Sequence, residues 1–89
     1  DAGNERSLRD YQIYAGRFDT KTLDAHLAAI RDFEAFLGGK PFESVRPEDV
    51  ASYRTKLIER GRAGEIGKST VQHRAAHLKA FFNWLVLQD

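Results

Sequence analysis

The sequence predicts an all-α fold, a compact four-helix bundle, on three observations. Apolar residues recur at steps of three and four in successive segments, the spacing that gathers side chains onto one face of a 3.6-residue helix. The alternation of apolar and polar residues that marks a half-buried strand never persists. Each periodic segment is also bounded by a capping residue, a proline or glycines, and the connections between segments are short.

The first helix is expected from about Glu5 to Gly16, where Leu8, Tyr11 and Ala15 share a face and Phe18 adds a turn if the helix outlasts Gly16. Gly16 and Tyr14 equally suit an irregular arm. The second helix is expected from Lys21 to Leu37, capped by Asp19 or Thr20, with Leu23, Leu27, Ile30, Phe33 and Leu37 as its stripe. Gly38 and Gly39 stop it, because glycine accepts the positive φ that a helix end often needs. In the linker that follows, Phe42 and Val45 read as apolar plugs at the end of the bundle.

Pro47 opens the third helix, where the first turn has no use for the missing amide, and Glu48 and Asp49 set negative charge against the positive end of the helix dipole. Val50, Tyr53, Leu57 and Ile58 are placed toward the core, Tyr53 with its hydroxyl at the edge, and Gly61 is read as the residue just past the helix end. The loop RAGEIGK has no secondary-structure period.

The fourth helix is the most informative stretch. Ser69 followed by Gln72 has the spacing of a capping box, which puts the first helical residue at Thr70. Val71, Ala75, Leu78, Phe82 and Leu85 form its apolar stripe. With Val71 at the centre, Ser69, His73, Ala76, His77 and Ala80 fall on the far side and Arg74 and Lys79 on the flanks. Small residues among cationic and hydrogen-bonding ones suit close approach to a phosphate backbone. Trp84 lies well round from the stripe, where it covers the N-terminal segment or rests against a neighbouring domain.

Composition limits what such a bundle can be. At 89 residues it is read as a single domain, with a core large enough to fold unaided. There is no cysteine, hence no disulfide or thiolate metal site, in keeping with a reducing, cytoplasmic setting. No apolar run approaches the roughly 18 residues of a membrane span. Methionine is absent even at position 1, as expected of a processed chain or of a piece of a longer one.

Net charge is only +1, so composition alone does not argue for a nucleic-acid partner. Its distribution says more. Residues 54–79 hold seven cations (Arg54, Lys56, Arg60, Arg62, Lys68, Arg74, Lys79) against Glu59 and Glu65, a balance of +5 that leaves −4 for the remainder. Solvated helix faces are the plainer account of that asymmetry.

Several chemistries are disfavoured. His73 and His77 stand four apart on one helix, a spacing open to a divalent metal, but the glutamate of a metalloprotease helix is missing and His26 is the only other imidazole. No metal or other cofactor is expected. GRAGEIGK, residues 61–68, follows a helix rather than a strand and lacks the spacing of a phosphate-cradling loop. Glu34, Glu48 and Asp49 are accounted for by solvation and dipole complementation.

The run Thr22-Leu23, Ile30, Phe33, Phe36-Leu37, then VRPEDVASYRTKL and KSTVQHRAAHLKAFFNWL, resembles the N-terminal core-binding domain of tyrosine recombinases, the SAM-like domain of phage integrases, over about residues 5 to 89. The resemblance implies a DNA-binding module for site-specific recombination or integration, closing on the crossover-site duplex opposite a C-terminal catalytic domain of the same parent chain. It implies double-stranded DNA as partner, a recombinase oligomer assembled on it, and no membrane.

Carried onto this sequence, it implies DNA contacts from Lys21 and Thr22 at the start of the second helix and from Lys68, Ser69, Thr70, His73, Arg74 and His77 on the fourth. Where the family usually carries arginine as the first of its basic pair, this chain has His73. The family cleaves DNA with a tyrosine of the catalytic domain, and Tyr11, Tyr14 and Tyr53 match none of its catalytic motifs, so no enzymatic activity is expected of the domain alone. A helical protein-interaction domain with no nucleic-acid partner is the competing reading.

Overall fold

The chain enters a helix at its second residue. Asp1 accepts the amide of Asn4 at 3.0 Å, which starts α1 (Ala2–Tyr14) earlier than the apolar period indicates. The computed structural model describes residues 1–17 and 19–88. A buried polar side chain explains the early start. Asn4 donates from Nδ2 to the Lys40 carbonyl at 2.9 Å and to a Glu34 carboxylate oxygen at 3.0 Å, while its Oδ1 accepts the Phe42 amide at 2.8 Å. The first turn is thereby fastened to the loop after the second helix. Leu8, Tyr11 and Ala15 share the buried face, and Ala15–Arg17 form a 3-10 turn at Gly16. Phe18 lies outside the described residues.

Helix α2 spans Thr20–Phe36 and is capped by Asp19. It ends as expected on two glycines, Gly38 and Gly39 (φ 68° and 83°), whose amides reach back to the carbonyls of Ala35 and Glu34 at 3.1 and 3.0 Å. Phe42, in the short turn Phe42–Ser44, is buried, and Val45 packs on the core beside it.

Helix α3 runs from Pro47 to Arg62. Its start is held by Asp49, whose carboxylate accepts the Arg46 amide at 2.9 Å and the Lys40 ammonium at 2.8 Å. Gly61 does not close it. The helix passes through Gly61 and turns at Gly64 (φ 77°), whose amide bonds the Gly61 carbonyl while the Glu65 amide bonds that of Arg60. Gly61 serves proximity instead: a Cβ there would lie 3.1 Å from a Val71 methyl, so the missing side chain lets α3 lie close to α4 (Lys68–Val86). Ile58, placed inward by the sequence pattern, is exposed.

The core has two parts that meet at Phe82. Leu8, Tyr11, Ala15, Ile30, Phe42, Phe81 and Trp84 form one, and Phe33, Tyr53, Leu57 and Leu78 the other. The contact of α2 with α4 is the most extensive between helices. Trp84 is 8% exposed, its ring 5.2 Å from that of Tyr11 and 5.8 Å from that of Tyr14, so it covers the N-terminal helix. Among the described residues there is no strand, and no helix is long and apolar enough to cross a membrane.

Candidate nucleic-acid interface

Helix α4 begins on glycine. Gly67 occupies the N-cap position in extended conformation (φ −75°, ψ 160°), and no side chain bonds the first amides. The Ser69–Gln72 capping box is not formed, because the helix starts at Lys68 rather than Thr70 and Ser69 is already inside it. Lysine enters a helical turn more readily than serine, and glycine is an acceptable N-cap, so the earlier start is locally favourable. The first backbone bond of the helix runs from the Val71 amide to the Gly67 carbonyl at 3.1 Å. Ahead of it, the amides of Lys68, Ser69 and Thr70 point out of an uncapped terminus.

The rotation of α4 also differs from the sequence pattern. Its fully buried side chains are Leu78, Phe81 and Trp84, while Val71, Ala75, Phe82 and Leu85 are half-buried. At about 100° per residue, the three buried ones centre roughly 80° from Val71. Aromatic area decides this, since each such ring removes more apolar surface from water than valine or alanine. The consequence is a sorting of the candidate residues. Lys68, Ser69 and His73 are exposed and Thr70 is half-buried, whereas Arg74 and His77 turn toward α2 and are half-buried.

The same rotation exposes Gln72, Lys79 and Asn83, which the sequence reading did not include among the contacts. Lys79 and Asn83, with Arg54 of α3, Ala75 and Ala76, line a shallow groove of about 460 Å³ between the two helices. Setting Trp84 inside the core at the outset would have brought these residues to the surface.

At the start of α2 the situation is reversed. Lys21 is exposed, but Thr22 donates its amide to Asp19 Oδ1 at 2.8 Å and its hydroxyl to Asp19 Oδ2 at 3.0 Å. These bonds, the amide's first, hold the Asp19 carboxyl below its usual range. The anion that this terminus attracts is already supplied by the chain itself.

Between α2 and α4 lies a seam of polar side chains. Oδ2 of Asp32 accepts from the Tyr53 hydroxyl at 2.5 Å, Arg60 at 2.9 Å and Arg74 at 3.4 Å. Burial pushes the Asp32 carboxyl up, but the bonds from Tyr53 and Arg60 and the charges of Arg60 and Arg74 outweigh it and hold the group below its usual value. Burial first, then Asp32, pushes the Tyr53 hydroxyl up, so the ring is core with its oxygen committed to a structural bond.

Further along the seam, the rings of His26 and His77 stack at 4.0 Å, with His73 6.0 Å beyond His77. His26 Nδ1 is 2.8 Å from the Tyr11 hydroxyl. Among the described residues no three His, Cys, Asp or Glu side chains are placed to hold a metal ion.

A small helical module thus presents one helix with an open, acid-free N-terminus on a surface of short side chains. The family model for the N-terminal SAM-like domain of phage integrase matches residues 7–89, and the chain belongs to that family. The matched model is that of the N-terminal domain, not of a catalytic one. No curated protein and no solved structure matches the chain.

Proposed function

We propose that this domain is the DNA-binding module of a tyrosine site-specific recombinase, holding the crossover-site duplex from the side opposite a C-terminal catalytic domain. One observation carries the reading beyond family membership. Of thirteen acidic residues in the chain, none falls in the nineteen residues of α4, although the first turns of α1 and α3 carry Glu5 and of Glu48 and Asp49, and α2 has Asp19 as its cap. An uncapped, acid-free helix start with Lys68, Ser69 and Thr70 in its first turn favours a phosphate from outside the chain.

In this reading Lys68, Ser69, Thr70 and His73 make the central contacts and Lys21 reaches the flanking backbone from α2. Thr22, bonded to Asp19, and Arg74 and His77, on the seam, support the face from behind. Lysines supply sequence-independent affinity by counterion release, and serine, threonine and neutral histidine position the backbone or read base edges. Net charge near zero makes the grip modest, so tight binding comes from the tethered catalytic domain and from assembly of recombinase copies on DNA. The chemistry of strand cleavage belongs to that other domain.

A fluorescent duplex titrated at several salt concentrations tests this. Affinity should fall steeply with salt, by a logarithmic slope of about −0.9 per phosphate contacted. A duplex indifferent to millimolar protein at low salt would remove the DNA reading. The competing reading, a helical protein-interaction domain, rests on Ile13 and Leu87, which line one groove with Tyr14 and Trp84 and are 75% and 80% exposed. It predicts no duplex binding at any salt.

A further inference from the structure

The histidines have no part in the core pattern, yet two of them close the largest helix contact in the molecule. His26 is buried on α2, and His77 lies half-buried on α4 with its ring stacked on it at 4.0 Å, the two planes 30° apart. His26 is further tied to α1 through the Tyr11 hydroxyl at 2.8 Å, and the Tyr11 ring packs against Phe81 and Trp84. Three helices therefore meet at one pair of imidazoles.

We propose that the His26–His77 stack is a proton-operated latch. With both rings neutral it closes the seam between α2 and α4, and at mildly acidic pH protonation parts the rings and releases His77 to the surface beside His73.

Geometry supplies the reason. Two imidazolium rings at 4.0 Å would set like charges face to face in a partly dehydrated site. With Nδ1 of His26 unprotonated, it accepts from the Tyr11 hydroxyl, and a second proton on the ring removes that acceptor. Groups on all three helices surround the pair. From α1 the pair faces Tyr11, next to Tyr14, over whose ring the Arg17 guanidinium sits. From α4 it faces His73, and further along the seam lie Arg74 and Asp32, whose carboxylate is already engaged by Tyr53, Arg60 and Arg74. Toward the start of α2 are Lys21 and Asp19, the latter bonded to Thr22. The imidazoles of His26 and His73 flank His77, and a charge on either opposes one on its own ring.

The sign follows. Burial lowers the affinity of both rings for a proton, and for His77 the neighbouring imidazoles lower it further. The unfolded chain, with histidines at about 6.5, then takes up protons before the folded one does. Stability is complete above about pH 7 and falls as the pH drops through 6.5 and below. The latch needs no DNA, so its failure and that of the DNA-binding reading are separate results.

Urea unfolding of the 89-residue chain between pH 7.5 and 5 tests it, together with His77→Phe, which keeps an aromatic ring on the stack but cannot titrate. The wild-type midpoint should fall as the pH is lowered, and the fall should shrink by at least half in the variant. An undiminished fall in a folded His77→Phe overturns the proposal. Should that variant not fold, proton NMR of the wild type decides. Ring signals of His26 and His77 that titrate below 6.5, with loss of the contact between them at pH 5, support the latch. Ordinary titration with the contact retained sinks it.

Discussion

The two sides of α4 carry the same kinds of residue and do opposite things. On the side facing α2, Arg74 reaches Asp32 and His77 stacks on His26, so cation and imidazole are absorbed into the fold. On the open side, Lys68 and His73 stand in solvent with Ser69 and small alanines around them. Residue type does not separate the two sets. What separates them is a rotation of the helix, set by where Phe81 and Trp84 find apolar partners. Stability should therefore respond to changes on the seam, and DNA binding to changes on the open side.

The largest expected effect is at the centre of the seam. Asp32→Asn leaves Arg60 and Arg74 facing a neutral group and weakens the Tyr53 bond at a site about a quarter exposed. A loss of about 1–3 kcal/mol in unfolding free energy is expected, the usual cost of a half-buried charged hydrogen bond left unmade. Urea denaturation measures it. Arg74→Ala should follow in the same direction by less, because its bond to Asp32 is the longest of the three. Were Arg74→Ala instead to leave stability unchanged and weaken duplex binding, the guanidinium would belong to the open side and the comparison would break.

Next in size is a change on the open side. Lys68→Glu should weaken duplex binding about tenfold or more and flatten the salt dependence, while the unfolding midpoint barely moves, because Lys68 is exposed and acidic residues are favoured in a helix's first turn. The matching change at the start of α2, Lys21→Glu, should cost less binding, since Asp19 already places a carboxylate there. Equal losses from the two variants would mean that the cap on α2 does not distinguish the two termini.

Much of this was legible in the sequence, and the remainder failed for identifiable reasons. The α2 stripe and its glycine stop were readable because Leu23, Leu27, Ile30 and Phe33 agree with one another and a glycine pair follows. The α1 boundary was misplaced because Asn4, a polar residue, is its anchor, and hydrophobic periodicity carries no signal for a polar side chain that is buried and fully bonded. On α4 two stripes compete, Val71-Ala75-Leu78-Phe82-Leu85 and Leu78-Phe81-Trp84 with its neighbours. A period alone does not weigh rings against small side chains. Asp32 and His26 went unseen because their partners lie on other helices, far away in sequence.

The smallest expected effect bears most directly on the open terminus. In Gly67→Asp the new side chain meets no atom within 4 Å of its Cβ, and the backbone, at φ −75°, already has a conformation any residue adopts. An aspartate there would cap α4 as Asp19 caps α2, accepting an amide of the first turn. Stability should rise by a few tenths of a kcal/mol, the ordinary difference between aspartate and glycine at an N-cap. Duplex affinity should drop several-fold at the same time, because the carboxylate takes the amides and repels the phosphate that would otherwise occupy them. Stability and binding moving in opposite directions from one substitution would set the α4 terminus apart from that of α2. A variant that gains stability and keeps its full affinity would place the phosphate contacts elsewhere on the helix, toward His73 and Lys79.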